Sequence, residues 1–356
     1  MGRFGRLGDF FRQRYQLGGL ADLAAHKTVP RHRHTFWYYW GGITLVLIGI
    51  QIVSGVLLLL YYRPSAQEAF ESVRFIMTKV QFGWLVRSVH AWAANLAIFS
   101  AMVHLASTFF LKAYRPPREL TWVTGVLLLF LLFGFGFTGY LLPWNTLAFF
   151  ATKVGTEIAG VVPVVGPLLQ TLLRGGGDVG DVTLTRFFWF HIAVLPLCLM
   201  GLLALHLLMI QFQGMSQPPW VKSERAMPFF PNFFLRDLVA WSLALGVVLA
   251  CSVYWPATLG AKADPFAPTP AGIRPEWYFL WMFQTLKLFP GHLFGVEGEL
   301  VAVGLTGLAG LAVLVVPWLD RPARQGKSFW LAWVLGVLAI IYVAGMTGYA
   351  LWVKPH

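Results

Sequence analysis

The sequence predicts an all-α membrane protein with seven transmembrane helices, arranged as a four-helix bundle followed by three carboxyl-terminal helices. Of its 356 residues, 57% are hydrophobic and only 12% are charged, whereas soluble domains are about 25% charged. Three stretches (36–62, 120–152 and 187–216) contain no charged residue, and each exceeds the roughly 20 residues that cross the bilayer core. Such runs indicate helices, because a helix satisfies its own backbone hydrogen bonds in lipid.

The charge pattern predicts the orientation of the chain. The predicted spans cover 36–62, 84–111, 120–142, 187–212, 237–256, 299–318 and 329–352. Lys and Arg are more frequent on the side of the amino terminus, although the segments there are shorter. The positive-inside rule therefore places the amino terminus in the cytoplasm and the carboxyl terminus outside. The same excess of Lys and Arg in the cytoplasmic segments accounts for the net charge of +12. The positive charge therefore does not indicate a nucleic-acid partner, and none is expected.

A polar, proline-rich segment at 213–235 divides the sequence into two halves. Residues 1–212 form a predicted four-span half, and residues 236–356 form a three-span half. Two long loops, 143–186 and 257–298, lie on the predicted outer face, and the second is rich in proline and aromatic residues. Because loops of this length without function are uncommon, we expect the second loop to cover a site.

Four of the nine histidines lie inside predicted spans, where an ionisable group is costly and usually has a role. His90 and His104 occupy the second span, and His191 and His206 occupy the fourth. Fourteen residues fall about 40° short of four helical turns and fifteen exceed them by about 60°, so each pair lies on one face, about 21 Å apart. Both spans run from outside to inside, which pairs His90 with His191 and His104 with His206 by depth.

Matched pairs of this kind predict two b-type haems stacked across the membrane, one held by His90 and His191, the other by His104 and His206. Two imidazoles leave the iron no open position, which suits electron transfer. A single intramembrane histidine would more simply be a helix–helix hydrogen-bonding group or a proton relay. A zinc site is disfavoured because no Cys or carboxylate accompanies either pair. The sequence contains no CxxCH, so no conventional c-type haem is expected.

Glycines on two other spans repeat the fourteen-residue spacing. Gly41 and Gly55 lie on the first span, and Gly125 and Gly139 lie on the third. A haem wedged between helices needs neighbours without side chains, although glycine is also common in membrane helices for packing alone. Two arginines precede the outer histidines: Arg87 by one helical turn and Arg186 by five residues. We expect both to bind haem propionates, with simple interfacial snorkelling as the alternative.

Several motifs resemble the cytochrome b subunit of Rieske/cytochrome b quinol-oxidising complexes over nearly the whole chain. They are QIVSG at 51–55, GWLVRSVH at 83–90, RELTWVTG at 118–125, GYLLPW at 139–144, TLTRFF at 183–188 and DPFA at 264–267. The most specific is Pro275-Glu276-Trp277-Tyr278, which resembles the quinol-site signature of that family.

The resemblance implies a quinol oxidoreductase with bifurcated oxidation at the outer side and quinone reduction at the inner side, coupled to proton translocation. Expected partners are a Rieske iron–sulfur protein, a c-type cytochrome or equivalent acceptor, and a second copy of the chain within a larger complex. The resemblance also implies the cytoplasmic membrane of a prokaryote.

Within the family, the chain looks closer to the b6f branch, with its two subunits fused. His191 and His206 are fifteen residues apart as in that branch, against fourteen in mitochondrial relatives. Tyr39 occupies the place of the cysteine that attaches an extra haem there, so a covalent extra haem is not expected. The basic pair after the fourth span is Gln211-Phe212 here, and an arginine is replaced by Ser107. These changes surround the inner haem, so the inner quinone site of that branch is not carried over.

Glu276 is the candidate proton acceptor for quinol. An aromatic, proline-rich setting raises a carboxyl pKa by burial, and an acceptor works best when its pKa is near the operating pH. Tyr278 is expected to hold the second quinol hydroxyl. The alternative for Glu276 is a loop carboxylate paired with Arg274.

Two other functions stay open at this point. A di-haem anchor of a dehydrogenase or hydrogenase would relay electrons to quinone without bifurcation, but such anchors lack the second half and its Pro-Glu-Trp-Tyr motif. A transporter or channel would require polar residues along a pathway near the midplane, and these spans have almost none besides histidine.

Overall fold

A computed structural model describes residues 27–221, 225–293, 295–320, 322, 325 and 330–353. The basic amino-terminal residues 1–26, which the sequence assigns to the cytoplasmic side, lie outside the described residues. So do 222–224 of the predicted linker and 354–356 of the predicted outer tail. Every candidate site residue lies within the described ranges.

The described chain is mainly helical. In chain order the helices are α1 Tyr39–Leu59, α2 Ala69–Lys79, α3 Gly83–Phe110, α4 Glu119–Leu141, α5 Thr146–Gly160, α6 Gly166–Arg174, α7 Asp181–Trp189, α8 Leu195–Gln213, α9 Phe234–Tyr254, α10 Trp277–Leu286, α11 Gly298–Leu314, α12 Val316–Leu319 and α13 Trp330–Trp352. A 3₁₀ turn at Thr35–Tyr38 precedes α1, a π-helical turn at Phe190–Val194 joins α7 to α8, and a second one at Phe229–Phe233 precedes α9.

Within the described ranges, six helical segments are long and apolar enough to cross a membrane. They are Thr35–Leu59, Gly83–Phe110, Glu119–Leu141, Asp181–Gln213, Phe229–Tyr254 and Trp330–Trp352. At the predicted span 299–318 the structure has α11, an apolar helix of 17 residues, which is about 25 Å long at 1.5 Å per residue. A mainly helical protein with apolar helices long enough to span a membrane is therefore confirmed, while the count of seven spans stays a prediction.

Four of these helices form a bundle around the histidines. Helix α1 packs along α3, α4 packs along α8, and α3 also contacts α4. One buried cluster takes a residue from each of the four and Tyr278 from α10. Its members from the bundle are Ile48, Ile98, Leu132 and Leu199. Ile48 and Leu132 lie midway between the two glycines of their helices, so this cluster separates the two histidine levels with apolar side chains.

The second half packs against this bundle on two sides. Helix α9 lies against α1 and α3, while α11 contacts α4 and α10 packs against α13.

The outer loops are tied together at Asn145, whose side-chain oxygen caps α5 by accepting from the backbone N–H of Ala148 at 2.9 Å. The Asn145 amide also donates to the carbonyl of Leu259 at 2.8 Å.

The sequence did not indicate the two short β-ribbons of the structure. Strand β1 (Thr28–Pro30) pairs antiparallel with β2 (Ala226–Pro228), and β3 (His292–Leu293) pairs with β4 (Val296–Glu297). In the first ribbon, Val29 and Met227 are buried with Phe233. This ribbon joins the segment before α1 to the end of the predicted linker, and so connects the two halves.

A buried ion pair connects the halves at a second place. Lys112, just after α3, adopts a left-handed backbone conformation with φ +55° and is 1% exposed. Its Nζ lies 2.7 Å from Oδ2 of Asp320, which follows α12, and 3.1 Å from the hydroxyl of Tyr114. The same hydroxyl donates to Asp320 Oδ2 at 2.5 Å. Burial first, and then the contact with Asp320, raise the pKa of Tyr114, so this phenol remains a donor.

We expect Asp320→Asn to destabilise the protein, because removing one partner of a buried pair leaves an uncompensated charge that costs about 3–5 kcal/mol. The double variant Lys112→Met/Asp320→Leu, which removes both charges, should recover most of this loss. Thermal unfolding in detergent measures both changes. The exposed pair Arg63–Glu68, with a separation of 2.6 Å, provides a matched control. Glu68→Gln should cost less than about 1 kcal/mol, and an equal effect of both single variants would contradict the prediction.

Candidate functional site

The four intramembrane histidines project into the bundle from two helical segments. His90 and His104 lie on α3, His191 lies in the π-helical turn, and His206 lies on α8. The rings of His90 and His191 approach each other edge-on, with centroids 6.3 Å apart and planes at 68°. This gap leaves room for one metal atom with a bond of about 2 Å to each ring. His104 and His206 form the second level, where the ring of His104 lies against Gly41 and that of His206 against Gly125.

The π-helical turn explains the unequal spacing of the two histidine pairs. The backbone N–H of Leu195 donates to the carbonyl of Phe190, five residues earlier, whereas an α-helix bonds residues four apart. A π turn therefore accommodates one extra residue. The fifteen residues from His191 to His206 advance the helix as fourteen α-helical residues would, which matches the spacing from His90 to His104.

Each of the four predicted glycines lies against one histidine ring. A Cβ atom placed at Gly41, Gly55, Gly125 or Gly139 would come within 3.1, 3.3, 3.2 and 2.6 Å, respectively, of the Cε1 atom of His104, His90, His206 and His191. A Cβ at Gly139 would collide with the ring of His191, and a Cβ at any of the other three positions would make an unusually tight contact with its ring. The common fourteen-residue spacing arises because each glycine matches the level of one histidine.

Hydroxyl groups fix the protonation of three of the rings. Nδ1 of His90 lies 2.9 Å from Ser54 Oγ, that of His206 lies 2.9 Å from Thr124 Oγ1, and that of His191 lies 3.2 Å from Thr138 Oγ1. Each hydroxyl donates its own hydrogen to the carbonyl four residues earlier, at Ile50, Leu120 and Gly134.

A hydroxyl has one hydrogen to donate, so each of these oxygens accepts from Nδ1–H of its histidine. The proton therefore resides on Nδ1, and Nε2 keeps its lone pair for a metal. Paired neutral imidazoles with bare backbone at their edges fit a planar iron cofactor bound through two nitrogen ligands. The sequence analysis missed these hydroxyls, although the pairs Ser54-Gly55, Thr124-Gly125 and Thr138-Gly139 repeat in the sequence.

The two arginines predicted near the outer haem bind backbone carbonyls. Arg87 donates to the carbonyls of Ala257 at 2.7 Å and Thr258 at 3.0 Å. Arg186 donates to the carbonyls of Leu172 at 2.6 Å and Thr171 at 3.1 Å. Both guanidinium groups hold outer-loop backbone near the outer histidines, and their role toward propionates stays a prediction.

A cavity of about 330 Å³ lies beside the outer end of α4. It is lined by side chains that are mostly apolar or aromatic, together with one carboxylate; among them are Phe133, Phe137, Tyr140, Glu276, Tyr278 and Met282. A Cβ at Gly136 would collide with the Tyr278 hydroxyl, so this glycine makes room for the phenol. Trp277 anchors the motif to α3, because its Nε1 donates to Asn95 Oδ1 at 2.7 Å.

Glu276 is half-buried in this cavity, and burial raises the pKa of its carboxyl. Burial, followed by the charges of Glu276 and Tyr140, raises the pKa of Tyr278, which therefore stays a hydrogen-bond donor. Arg274 donates to the carbonyl of Val353. Among the described residues it forms no ion pair with Glu276, so the alternative of a loop ion pair is not favoured.

Two family models match the chain. A model described as "Cytochrome b/b6/petB" matches residues 25–214, and one described as "Cytochrome b(C-terminal)/b6/petD" matches residues 262–352. The chain belongs to the cytochrome b family. Membership implies b-type haems, and with the apolar helices it confirms an integral membrane protein of electron transport.

Relatives of this cytochrome b match either most of the chain or a part of it. It is 45% identical over 339 residues to "Cytochrome bc complex cytochrome b subunit" of Chlorobaculum thiosulfatiphilum, covering 94% of this chain and 78% of that one. It is 43% identical over 210 residues to "Cytochrome b6" of Tupiella akineta, covering 59% of this chain and 97% of that one. A solved structure entitled "Hyperthermophilic respiratory Complex III" matches with a TM-score of 0.86 and 29% identity, over 98% of this chain and 92% of that one.

The inner end of this cytochrome b holds a group that the sequence analysis missed. The carboxylate of Asp237 on α9 lies against Gly42, where a Cβ would collide with it. Five of the buried side-chain atoms that lack a hydrogen-bond partner within the described residues belong to Trp40, His104, Arg118, Asp237 and Trp241. Orphaned polar atoms in a membrane protein indicate a site that receives a ligand or water. A carboxylate at the start of a span was the signal that could have identified Asp237.

The structure also restores a positive charge near Gln211, where the sequence has lost the basic pair of the b6f branch. Lys27, just before β1, donates to the Gln211 side-chain oxygen. The ammonium group also lies 4.8 Å from the ring centre of Phe229. Burial lowers the pKa of Lys27. A distant segment of this cytochrome b thus supplies the cation that the end of α8 lacks.

We expect Gly55→Val to remove the outer haem and Gly41→Val to remove the inner haem, because a side chain at either position would occupy the edge of a ligand ring. Each variant should retain one haem per chain, measured as the pyridine haemochrome of the purified protein. Gly49 lies on the same helix with nothing within 4 Å of its Cβ position. Gly49→Val should therefore keep both haems, and haem loss in that control would mean that any valine on α1 disrupts the fold.

Proposed function

We propose that this cytochrome b oxidises quinol in the cavity around Glu276 and delivers one of the two electrons to quinone at the inner side. The observation that supports this proposal most directly is the position of the histidine pairs and of the Glu276 cavity in the same bundle. Two levels of paired histidines cross one bundle, three of them with Nε2 available, and the half-buried carboxylate of Glu276 lines an apolar cavity at the outer end of that bundle. A di-haem anchor cytochrome accounts for the histidines but leaves this cavity and its motif without a role.

Two non-covalent b-type haems are the proposed electron carriers; His90 and His191 would hold the outer one, and His104 and His206 would hold the inner one. When bound, each haem would supply one-electron transfer. Gly41, Gly55, Gly125 and Gly139 admit the edges of the rings. Arg87 and Arg186 are the proposed partners of propionates on the outer side.

The outer cavity is suited to bifurcated oxidation of quinol. Oxidation to quinone releases two electrons and two protons. One electron leaves to a Rieske iron–sulfur partner and the other passes toward His90 and His191. The ionised Glu276 accepts one proton and releases it outward. The Tyr278 hydroxyl hydrogen-bonds the second quinol oxygen, whose proton leaves to the outer side together with the electron that the Rieske partner takes. The aromatic walls exclude water, which strengthens both polar contacts.

The inner end is suited to reduction of quinone, which consumes two electrons and two protons. Asp237 is the proposed proton donor because its carboxylate is half-buried and has an oxygen without a partner among the described residues. The indole N–H of Trp241, one helical turn later on α9, lies beside the Asp237 carboxylate and is the proposed donor to the second quinone oxygen. Reduction on one side and oxidation on the other translocate protons across the membrane.

We further propose the assembly and orientation that the sequence predicts. Residues 1–212 and 236–356 are the two functional halves with 213–235 as a cytoplasmic linker, and α11 with α12 completes a seventh span. The amino terminus is cytoplasmic and the carboxyl terminus lies outside in a prokaryotic membrane. A c-type cytochrome or equivalent acceptor and a second copy of the chain complete the complex. Two features support this reading: the titles "bc complex" and "Complex III" among the relatives, and the basic inner segments.

We expect Glu276→Gln to slow quinol oxidation by roughly 10²–10⁴-fold, the usual contribution of a general base. The deprotonated fraction of a carboxyl increases as the pH rises through its pKa, and burial raises the pKa of Glu276. The wild-type rate should therefore increase with pH in a range above that of an exposed glutamate, and the variant should lose this limb. Glu297→Gln, at an exposed outer position, is the control. Steady-state quinol oxidation provides the measurement, and an unchanged pH profile would remove Glu276 from the mechanism.

We expect Asp237→Asn to slow reoxidation of the inner haem by quinone while leaving its reduction from the outer side intact. The amide keeps the shape of the carboxyl group but supplies no proton. Stopped-flow spectroscopy of the haem separates the two steps. Glu119→Gln, which also changes a carboxylate at the inner end of the bundle, should leave both rates near those of the wild type. Equal slowing by the two variants would argue against a specific role for Asp237.

A further inference from the structure

The Pro-Glu-Trp-Tyr motif carries one large side chain that does not face the quinol cavity. Glu276 and Tyr278 are among the described residues that line the cavity, whereas Trp277, which lies between them, is not. The Trp277 indole points toward α3 instead. Its Nε1 donates to Asn95 Oδ1 at 2.7 Å, and its ring centre lies 6.5 Å from that of Phe99, one helical turn after Asn95. Neither Trp277 nor Asn95 takes part in the proposed transfers of protons and electrons.

The Asn95 side chain is fixed at both of its polar atoms. An indole N–H only donates hydrogen bonds, so the amide oxygen of Asn95 faces Trp277. The amide nitrogen then faces the other way and donates to the carbonyl of Ala91 at 2.9 Å. Ala91 directly follows His90. Two hydrogen bonds therefore connect the motif to the backbone beside a histidine of the outer level.

The side chains of the motif are held in different ways. The Tyr278 ring stacks on that of Phe133, with centroids 6.0 Å apart and planes at 19°, and its hydroxyl lies against Gly136. The Glu276 side chain has neither a hydrogen bond nor an ion pair within the described part of the chain. Its position therefore depends on the backbone at the start of α10, which Trp277 ties to α3.

The start of α10 is the place where a small displacement affects proton transfer most. Glu276 is the residue before the helix, with ψ 153°, and Trp277 is its first residue. A displacement of about 1 Å in a reacting group slows a reaction by up to about 100-fold. Binding of the quinol ring depends instead on the apolar walls of the cavity, to which Trp277 does not contribute.

We propose that Asn95 is a positioning residue for quinol oxidation, which acts through Trp277 to hold the Glu276 carboxylate in place relative to the helix that carries His90. This inference rests on the proposed function of the cavity. Its consequence is a separation of two kinetic constants. Loss of the tie lowers kcat and weakens the pH dependence that Glu276 gives to the rate, while KM for quinol stays near that of the wild type.

The test replaces Asn95 by leucine, which has nearly the same shape but no acceptor, and measures steady-state quinol oxidation as a function of pH. Asn95→Leu should lower kcat by roughly 10- to 100-fold, with little change in KM and a weaker increase of the rate with pH. Trp277→Phe removes the same hydrogen bond and keeps an aromatic ring, so its effect should be similar. Because both changes remove one interaction, the double variant should be no slower than the slower single variant.

Trp92→Phe is the matched control. Trp92 also lies on α3, between His90 and Asn95, and its Nε1 donates to the carbonyl of Trp255 at 2.7 Å. The variant therefore removes an indole hydrogen bond from the same helix without changing a contact of the motif. Its kcat and pH profile should stay near those of the wild type, and slowing equal to that of Asn95→Leu would contradict the inference.

Combining Asn95→Leu with Glu276→Gln separates this inference from the proposed function. The combination should be about as slow as Glu276→Gln alone, because Asn95 acts through Glu276. Further slowing by the full factor of Asn95→Leu would overturn the inference and leave the proposed function intact, as would an unchanged kcat or a raised KM alone. If Asn95→Leu does not fold, Trp277→Phe decides by the same criteria. An unchanged rate and pH profile in Glu276→Gln alone would instead overturn the proposed function.

Discussion

An imidazole inside a membrane bundle needs an occupant for each of its two ring nitrogens, and much of this structure follows from that requirement. Lipid offers no hydrogen-bond partner, so an unpaired N–H or lone pair remains costly there. At three of the four rings, a hydroxyl of a neighbouring helix takes the Nδ1–H, and Nε2 is left for a metal. The glycine that follows each hydroxyl lets the backbone approach the ring. Helices α1 and α4 therefore carry their hydroxyl and glycine residues at the levels of the histidine rings, which project from α3, the π-helical turn and α8.

The spans and the histidine pairs could be predicted from the sequence because both depend on local periodicity. Hydropathy gives the length of a helix, and a spacing of 14 residues gives a common face. The π-helical turn at His191 could not be read in this way, since a period of 3.6 residues assumes that every turn is alike. The sequence shows the fifteen-residue spacing from His191 to His206. Whether a π-helical turn accommodates the extra residue depends on how the helix packs.

Partners that are distant in sequence account for the rest of what was missed. Asp237 lies against Gly42, and Lys27 reaches Gln211, yet nothing local in the sequence predicts either contact. Because Gln211 replaces a basic residue, the sequence suggested that the inner end lacks positive charge there. The fold brings Lys27, which precedes α1, to this position. The outer cavity was easier to anticipate, because the Pro-Glu-Trp-Tyr motif carries its carboxylate and phenol within four residues.

The contacts between the two halves also bear on how the protein is made. The β1–β2 ribbon joins the halves at the end of the linker, and the buried pair of Lys112 with Asp320 joins them at a second place. Neither contact uses the linker's central residues. Noncovalent joints of this kind can also hold two separate chains together, and the match with the relative from Tupiella akineta covers only 59% of this chain. What a continuous chain adds is a high effective concentration of one half for the other. Ribosomes that translate a single message then deliver both halves in equal number, and neither has to find its counterpart by diffusion in the membrane.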